Sequence, residues 1–136
     1  MAARNENYHS LIKKNYKKKL ILIDRFIDST IAYQHYGMGI NKNIIDNLNK
    51  LILKNIKVDF TFLNIVNMKN LKIRLKKRSK NNRYDTFKTT FYQKVQKGYI
   101  KLSNNKKKYM VIDSNDQISE NKKKIIKKLS TLLSIW

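Results

Sequence analysis

Five arginines, Arg4, Arg25, Arg74, Arg78 and Arg83, stand in a chain that otherwise writes its positive charge as lysine, of which there are 26. A guanidinium presents a planar fork of donors that grips a phosphate or carboxylate through two hydrogen bonds, which an ammonium cannot do. The arginines are therefore the first candidates for recognising an anion. Arg25 follows Asp24 directly after the apolar run Leu20-Ile21-Leu22-Ile23. In open α/β sheets, ligands bind outside the carboxyl ends of the strands. An Asp there can hold a metal-bound water, and an Arg beside it can fork a phosphate. Taken alone, the pair reads better as a plain strand-end ion pair. Several other chemistries are excluded. There is no cysteine, which removes disulfides, thiolate zinc sites and cysteine nucleophiles. His9 and His35 are too few for a histidine-rich metal centre.

These residues need a scaffold. Leu20 to Ile23 is continuously apolar and β-branched at alternate positions, which predicts a strand buried on both faces of a parallel sheet. Asp59 to Ile65 and Tyr109 to Asp113 predict two more strands. A helix is expected over residues 4–17, with Leu11, Ile12 and Tyr16 on one face. Asp28-Ser29-Thr30 can cap a helix running through Tyr33 and Gln34, broken by Gly37 and Gly39. Ile44, Ile45, Leu48, Leu51 and Ile52 repeat as one amphipathic face. Then come a basic helix over 68–78 with Leu71 and Leu75, a polar loop from Ser79 to Asp85, and a helix marked by Phe87, Phe91, Val95 and Leu102. A last amphipathic helix carries Ile125, Ile126, Leu129, Leu132 and Leu133. Strands alternating with helices predict an α/β fold with a parallel sheet. Neither a repeat nor a linker divides the chain, so residues 1–136 read as one domain. Three strands are few for such a sheet.

The net charge is +22. Lys, Ile and Asn make up 61 of the 136 residues, while Ala and Gly number three each and Pro is absent. That is the pattern of AT-rich codons. The charge reads largely as coding bias on solvated faces and weakens the inference to a nucleic acid or an anionic membrane. Lys122, Lys123, Lys124, Lys127 and Lys128 lie opposite the Ile/Leu face of the last helix, as in a helix covering a sheet rather than a membrane binder. No apolar run approaches the ~18 residues of a membrane span, and Met1 to Glu6 has no apolar signal-peptide core.

The stretch Asp24-Arg25-Phe26-Ile27-Asp28-Ser29-Thr30-Ile31-Ala32-Tyr33-Gln34 resembles the D-R-[FYH]-x-x-S-T-x-A-Y-Q motif of thymidylate kinases. Further segments resemble the same family in order. They are Ala2-Ala3-Arg4-Asn5-Glu6, Asp59-Phe60-Thr61-Phe62-Leu63, and Asn82-Arg83-Tyr84-Asp85 followed by Phe91, Lys94-Val95 and Gly98-Tyr99. Val111-Ile112-Asp113-Ser114 completes the series. The resemblance implies a three-layer P-loop kinase-type parallel sheet, with a lid at about 76–86. It implies phosphorylation of dTMP to dTDP with ATP and Mg2+ in a cytoplasmic, homodimeric enzyme of dTTP synthesis, with no membrane or specific nucleic-acid partner. By resemblance, Arg25 holds the dTMP phosphate, and Asp24 orients a magnesium-bound water or the phosphate-side network. Ser29 or Thr30, with Gln34, reads the polar edge of thymine, and Arg4 contacts the same base. Tyr33 packs under the deoxyribose, a position that ordinary helix packing would also fill. Arg83 and Arg78 flank the lid and neutralise charge in phosphoryl transfer. Arg78, among Lys76 and Lys77, fits a solvated charge run equally well.

The departures are specific. The family's Walker A loop, G-x-x-x-x-G-K-[ST], has no counterpart among Gly37, Gly39 and Gly98. The match begins within the family's third helix, so the counterparts of strands 1 and 2, and the aromatic that stacks on thymine, are expected to be missing. Met38 stands where bacterial members often carry Arg, and Ile65 and Asn67 stand where acidic residues are usual. The leading expectation is therefore a thymidylate kinase fragment that keeps the dTMP site and lid. A non-catalytic nucleotide-binding remnant is the alternative. A basic nucleic-acid binder is the third reading, and it needs exposed aromatics among the lysines.

Overall fold

The computed structural model describes residues 2–54, 56–77 and 87–134. Helix α1 runs from Ala2–Asn7 through a π-helical stretch, Tyr8–Ile12, into Lys13–Asn15. Tyr8 and Ile12, four residues apart, are its buried face. Helix α2 starts as Ile27–Thr30 and widens into a π-helical stretch, Ile31–Gly37. Helix α3, Lys42–Leu53, is capped by Asn41, whose side-chain oxygen accepts from the Asn43 N–H at 2.9 Å. Strand β1 is Thr61–Ile65 and helix α4 is Met68–Lys76. Helix α5 is Thr89–Leu102, strand β2 is Tyr109–Asp113 and helix α6 is Ile118–Leu133.

The two strands pair in parallel, in register from Thr61 opposite Tyr109 to Ile65 opposite Asp113. The crossover between them carries α4 and α5, as a parallel connection requires. The α/β reading and the parallel sheet hold. The expected first strand does not. Leu20 to Ile23 joins no ladder, and Leu20 and Leu22 are 58% and 76% exposed. Apolar, β-branched residues make a segment fit for a doubly covered strand, but the strand exists only when a neighbour takes its N–H and C=O groups. Among the described residues β1 pairs with β2 alone, so the segment has no such neighbour.

The core lies where α2 meets α5. Ala32, Phe91, Tyr92 and Val95 are buried together, with Tyr33, Met68, Leu71, Leu75 and Tyr99 packed around them. Phe87, expected on the helix face, precedes α5 and stacks on Phe91 at 4.2 Å between ring centroids. Two glycines permit this contact. A Cβ on Gly98 would lie 2.4 Å from a ring carbon of Tyr36, and one on Gly37 would lie 2.6 Å from Phe91. Gly37 thus packs as well as ending α2.

The buried face of α3 is narrower than its apolar pattern. Ile45, Asn49 and Leu53 face inward, while Ile44, Leu48 and Leu51 are exposed. Spacing of i, i+4, i+8 gives one straight stripe. On α6, Ile126 and Leu133 are exposed, while Lys128 lies over the Phe60 ring at 5.0 Å and Asn121 donates to the Asp113 carbonyl at 2.6 Å. These contacts tie the helix to Asp113 at the end of β2 and to Phe60, the residue before β1.

Candidate functional site

The turn into α2 is where the chemistry-bearing residues gather. Arg25 has φ +62°, in the left-handed region. That conformation is unfavourable for a residue with a Cβ and persists where the surroundings fix it, as they do at many ligand sites. It brings the guanidinium over the ring of Tyr33, 4.8 Å from its centroid. Ser29 and Tyr33 are one helical turn apart and share a face of α2. The Ser29 hydroxyl is hydrogen-bonded to the Tyr99 hydroxyl at 2.7 Å, and the rings of Tyr33 and Tyr99 meet edge to face. Burial pulls the Arg25 pKa down. Electrostatic and hydrogen-bonding contact with Tyr33 and Tyr99 more than offsets this, so the net direction is upward and the cation is secure.

Arg4 reaches the same turn from α1. Its Nη1 donates to Asn49 Oδ1 at 2.8 Å, and its Nη2 donates to the Phe26 carbonyl at 3.2 Å and to the Thr30 hydroxyl. Its Cζ lies 5.4 Å from the centre of the Phe26 ring. Burial lowers the Arg4 pKa from its ordinary value, which lies far enough above neutrality for the charge to stay.

Asp28 points elsewhere and accepts a hydrogen bond from the Tyr109 hydroxyl at 3.0 Å. Burial raises the pKa of its carboxyl, opposed in part by that bond. Burial and the neighbouring Asp28 push Tyr109 up to about 12. This pair ties the start of α2 to the start of β2.

The structure thus brings Arg4 to Thr30, and Arg25 to Tyr33 and Tyr99, with Ser29 bonded to Tyr99. Other expected residues stand apart. Asp24 is exposed, and no described residue donates to its carboxylate. Gln34 is half-buried on α2, and no described residue bonds its amide. Arg78, Arg83 and most of the expected lid lie outside the described residues. Arg74, left without a role by its sequence context, donates to the Ser114 carbonyl at 2.7 Å and fastens α4 to the end of β2. Among the described residues no group of three or more His, Asp or Glu side chains is placed to hold a metal. Nor is any described helix long and apolar enough to cross a membrane.

Two residues at this site were not among the expected ones. Tyr99 was visible only as part of a matching segment. Asn49 was legible in principle, because a carboxamide between Ile45 and Leu53 interrupts an apolar stripe at helical spacing. Chemically, the face of α2 offers a charged fork above an aromatic ring, with hydroxyls beside it. Such a set suits a ligand that joins an anionic group to a flat polar ring.

Comparison with known proteins identifies relatives of the chain as a whole. The Thymidylate kinase family model matches residues 1–125. The thymidylate kinase of Mycoplasma capricolum is 37% identical over 124 residues, covering 88% of this chain and 58% of that protein. The thymidylate kinase of Sulfurihydrogenibium is 35% identical over 129 residues, covering 93% and 62%. The crystal structure of thymidylate kinase from Ehrlichia chaffeensis superposes with a TM-score of 0.69 at 33% identity, covering 95% of this chain and 60% of that one. The chain spans about three-fifths of the length of these relatives.

Proposed function

The chain belongs to the thymidylate kinase family, and from that premise we propose that it supplies the acceptor-nucleotide half of a dTMP kinase. In this reading Arg25 forks the dTMP phosphate and Tyr33 packs under the deoxyribose, where it disfavours a 2′-hydroxyl. Arg4, Gln34 and the hydroxyl of Ser29 or Thr30 form the edge that reads thymine. A buried polar edge discriminates well, because a wrong base leaves its groups unpaired. The carrying observation is the meeting of Arg25, Ser29, Tyr33 and Arg4 at one turn, from positions up to 29 residues apart in sequence.

Mg2+ enters this reading with ATP, as substrate. Asp24 is a lone exposed carboxylate, which fits an indirect role through a water rather than a protein cage. The triphosphate has no matching motif in this sequence. Its cradle is a run of backbone N–H groups with a Lys, and no G-x-x-x-x-G-K-[ST] segment occurs here. The donor half is therefore assigned to polypeptide outside this sequence, and Arg83 and Arg78 to the lid that closes over it.

Calorimetric titration of the 136-residue chain tests the acceptor reading. It should bind dTMP, bind thymidine at least ten times more weakly for want of the phosphate, and bind 5-methyluridine monophosphate more weakly than dTMP. Equal affinity for thymidine and dTMP would remove Arg25 from the phosphate.

A further inference from the structure

Coding bias accounts for how many lysines the chain carries. It acts on codons and is blind to the fold, so where the lysines gather is a separate observation. Three turns, at residues 16–19, 54–59 and 104–108, hold eight lysines and one carboxylate, Asp59. The fold sets these turns side by side. The carbonyl of Lys108, just before β2, accepts from the Thr61 N–H at the start of β1 at 2.9 Å. The N–H of Lys57, on the way into β1, donates at 3.1 Å to the hydroxyl of Tyr16, at the end of α1. Lys17 to Lys19, Lys54 with Lys57, and Lys106 to Lys108 therefore form one stripe, and all eight are exposed.

Like charges so placed repel one another. Among the described residues none of the eight forms an ion pair. The pairs that occur there, Lys42 with Asp46, Lys123 with Glu120 and Lys124 with Asp116, lie on or beside α3 and α6. Two backbone positions sharpen the point. Lys17 has φ +60° and Lys54 φ +51°, in the left-handed region. Asn, written with equally AT-rich codons, enters that region more readily. The negative end of a helix dipole favours a cation after α1 and α3, but by less than the backbone costs. Lysine at both positions is explained if an anion from outside the chain meets them.

The chemistry of that anion follows from what the stripe has and lacks. It has no arginine, so it offers no fork for a base edge. Its aromatic neighbours Tyr16, Phe60 and Tyr109 are half-buried, so it has no platform on which single-stranded bases stack. A bilayer surface is met by the apolar face of a helix lying flat, whereas these lysines project from short turns. A row of point charges on turns tied to one another suits the regular line of phosphates along a double helix. We propose that the stripe docks the phosphate backbone of a double-stranded nucleic acid, without regard to sequence.

The test separates a site from the diffuse attraction of a +22 chain. Two triple variants of the 136-residue chain remove equal charge. One carries Lys57→Gln, Lys107→Gln and Lys108→Gln in the stripe. The other carries Lys72→Gln, Lys122→Gln and Lys127→Gln, which are exposed on α4 and α6. Circular-dichroism melts show that both are folded. Fluorescence anisotropy with a labelled duplex of roughly 20 base pairs is followed from ~0.05 to ~0.2 M salt. The stripe variant should bind at least ten times more weakly than the parent at ~0.1 M salt. Its slope of log K against log salt should be shallower by about 2–3, and that of the α6 and α4 variant by less than about 1. Mixed-sequence and all-A·T duplexes should bind within about threefold of each other, and a single strand of the same length more weakly. Equal weakening in the two variants would overturn the proposal, because binding would then follow total charge. So would a strong preference for one duplex sequence or for the single strand. Partition onto phosphatidylserine vesicles at ~0.15 M salt, with no anisotropy change for the duplex, would assign the stripe to a membrane surface instead.

Discussion

Replacing Arg25 by Lys keeps a cation at the entrance to α2 and removes the fork. The structure isolates that difference. The Arg25 cation lies 4.8 Å from the centroid of the Tyr33 ring, and an ammonium retains a cation–π attraction of about 0.5–1 kcal/mol at an exposed site. The left-handed backbone, at φ +62°, costs Lys as much as Arg, since both carry an unbranched Cβ. Folding stability should therefore change little, with Tm within about 3 °C of the parent. Under the proposed function, the substitution removes one of two charge-assisted hydrogen bonds to phosphate, roughly 1.5–3 kcal/mol. The dTMP Kd should rise about ten- to a hundredfold, while affinity for thymidine, which has no phosphate, should not move. The ratio should persist as salt is raised to about 0.3 M, because a contact bond lies well inside the screening length. Isothermal titration with both ligands at two salt concentrations measures all of this. A dTMP affinity within twofold of the parent would refute the fork, and a parallel fall in thymidine affinity would show that the substitution disturbed the pocket instead.

Gly98→Ala would place a methyl group 2.4–2.8 Å from three carbons of Tyr36, so α2 and α5 must move apart. The expected cost is about 1–3 kcal/mol, read as a Tm lower by several degrees in a calorimetric scan. Burial raises the Asp28 pKa in the folded chain above the ordinary 3.8, so the ionised carboxylate weakens the fold at neutral pH. That penalty fades as pH falls through the raised value. Asn at position 28 can still accept from Tyr109, so Asp28→Asn should melt higher than the parent at about pH 7 and converge with it in acid. A parent that melts higher at neutral pH would reverse the sign. Adding in trans a family segment that carries the Walker A strand and loop should raise the Tm of this chain and yield ATP-dependent phosphorylation of dTMP. A melt unmoved by saturating segment would show that β1 and the Leu20–Ile23 run do not accept that strand.

Elements with a self-contained signal were legible in the sequence. α5 announced itself by Phe91, Val95 and Leu102 at helical spacing, and β2 by the short run from Tyr109 to Asp113. Ser29 and Tyr33 are four residues apart, so helix geometry puts them on one face of α2, whereas Arg25 precedes the helix with φ +62° and was singled out by the motif it belongs to. What depended on distant partners was not legible. Leu20 to Ile23 has the composition of a buried strand, yet ladder pairing is a property of two segments. The α3 pattern showed an apolar face of five residues, but the stripe actually covered runs through Ile45, Asn49 and Leu53. Within that stripe Asn49 meets Arg4, 45 residues earlier, a partner that the local pattern does not show. Tyr99 likewise became a neighbour of Ser29 only once Gly98 let α5 approach α2.

The acceptor turn and the sheet are held by separate sets of contacts, and this bears on what the chain can do unaided. Arg4, Arg25, Ser29, Thr30 and Tyr33 are fixed by α1, α3 and α5, through Asn49, Tyr99 and the packing of Ala32 against Phe91 and Val95. Among the described residues, the hydrogen bond from Tyr109 to Asp28 links the turn to a strand. The unpaired run at Leu20–Ile23 enters the site only by ending at Asp24, which is exposed. Nucleotide binding should then tolerate an incomplete sheet, whereas phosphoryl transfer should not, because it needs donor and acceptor phosphates held in line. Under the proposed function, the expected outcome for this chain alone is affinity for dTMP without turnover.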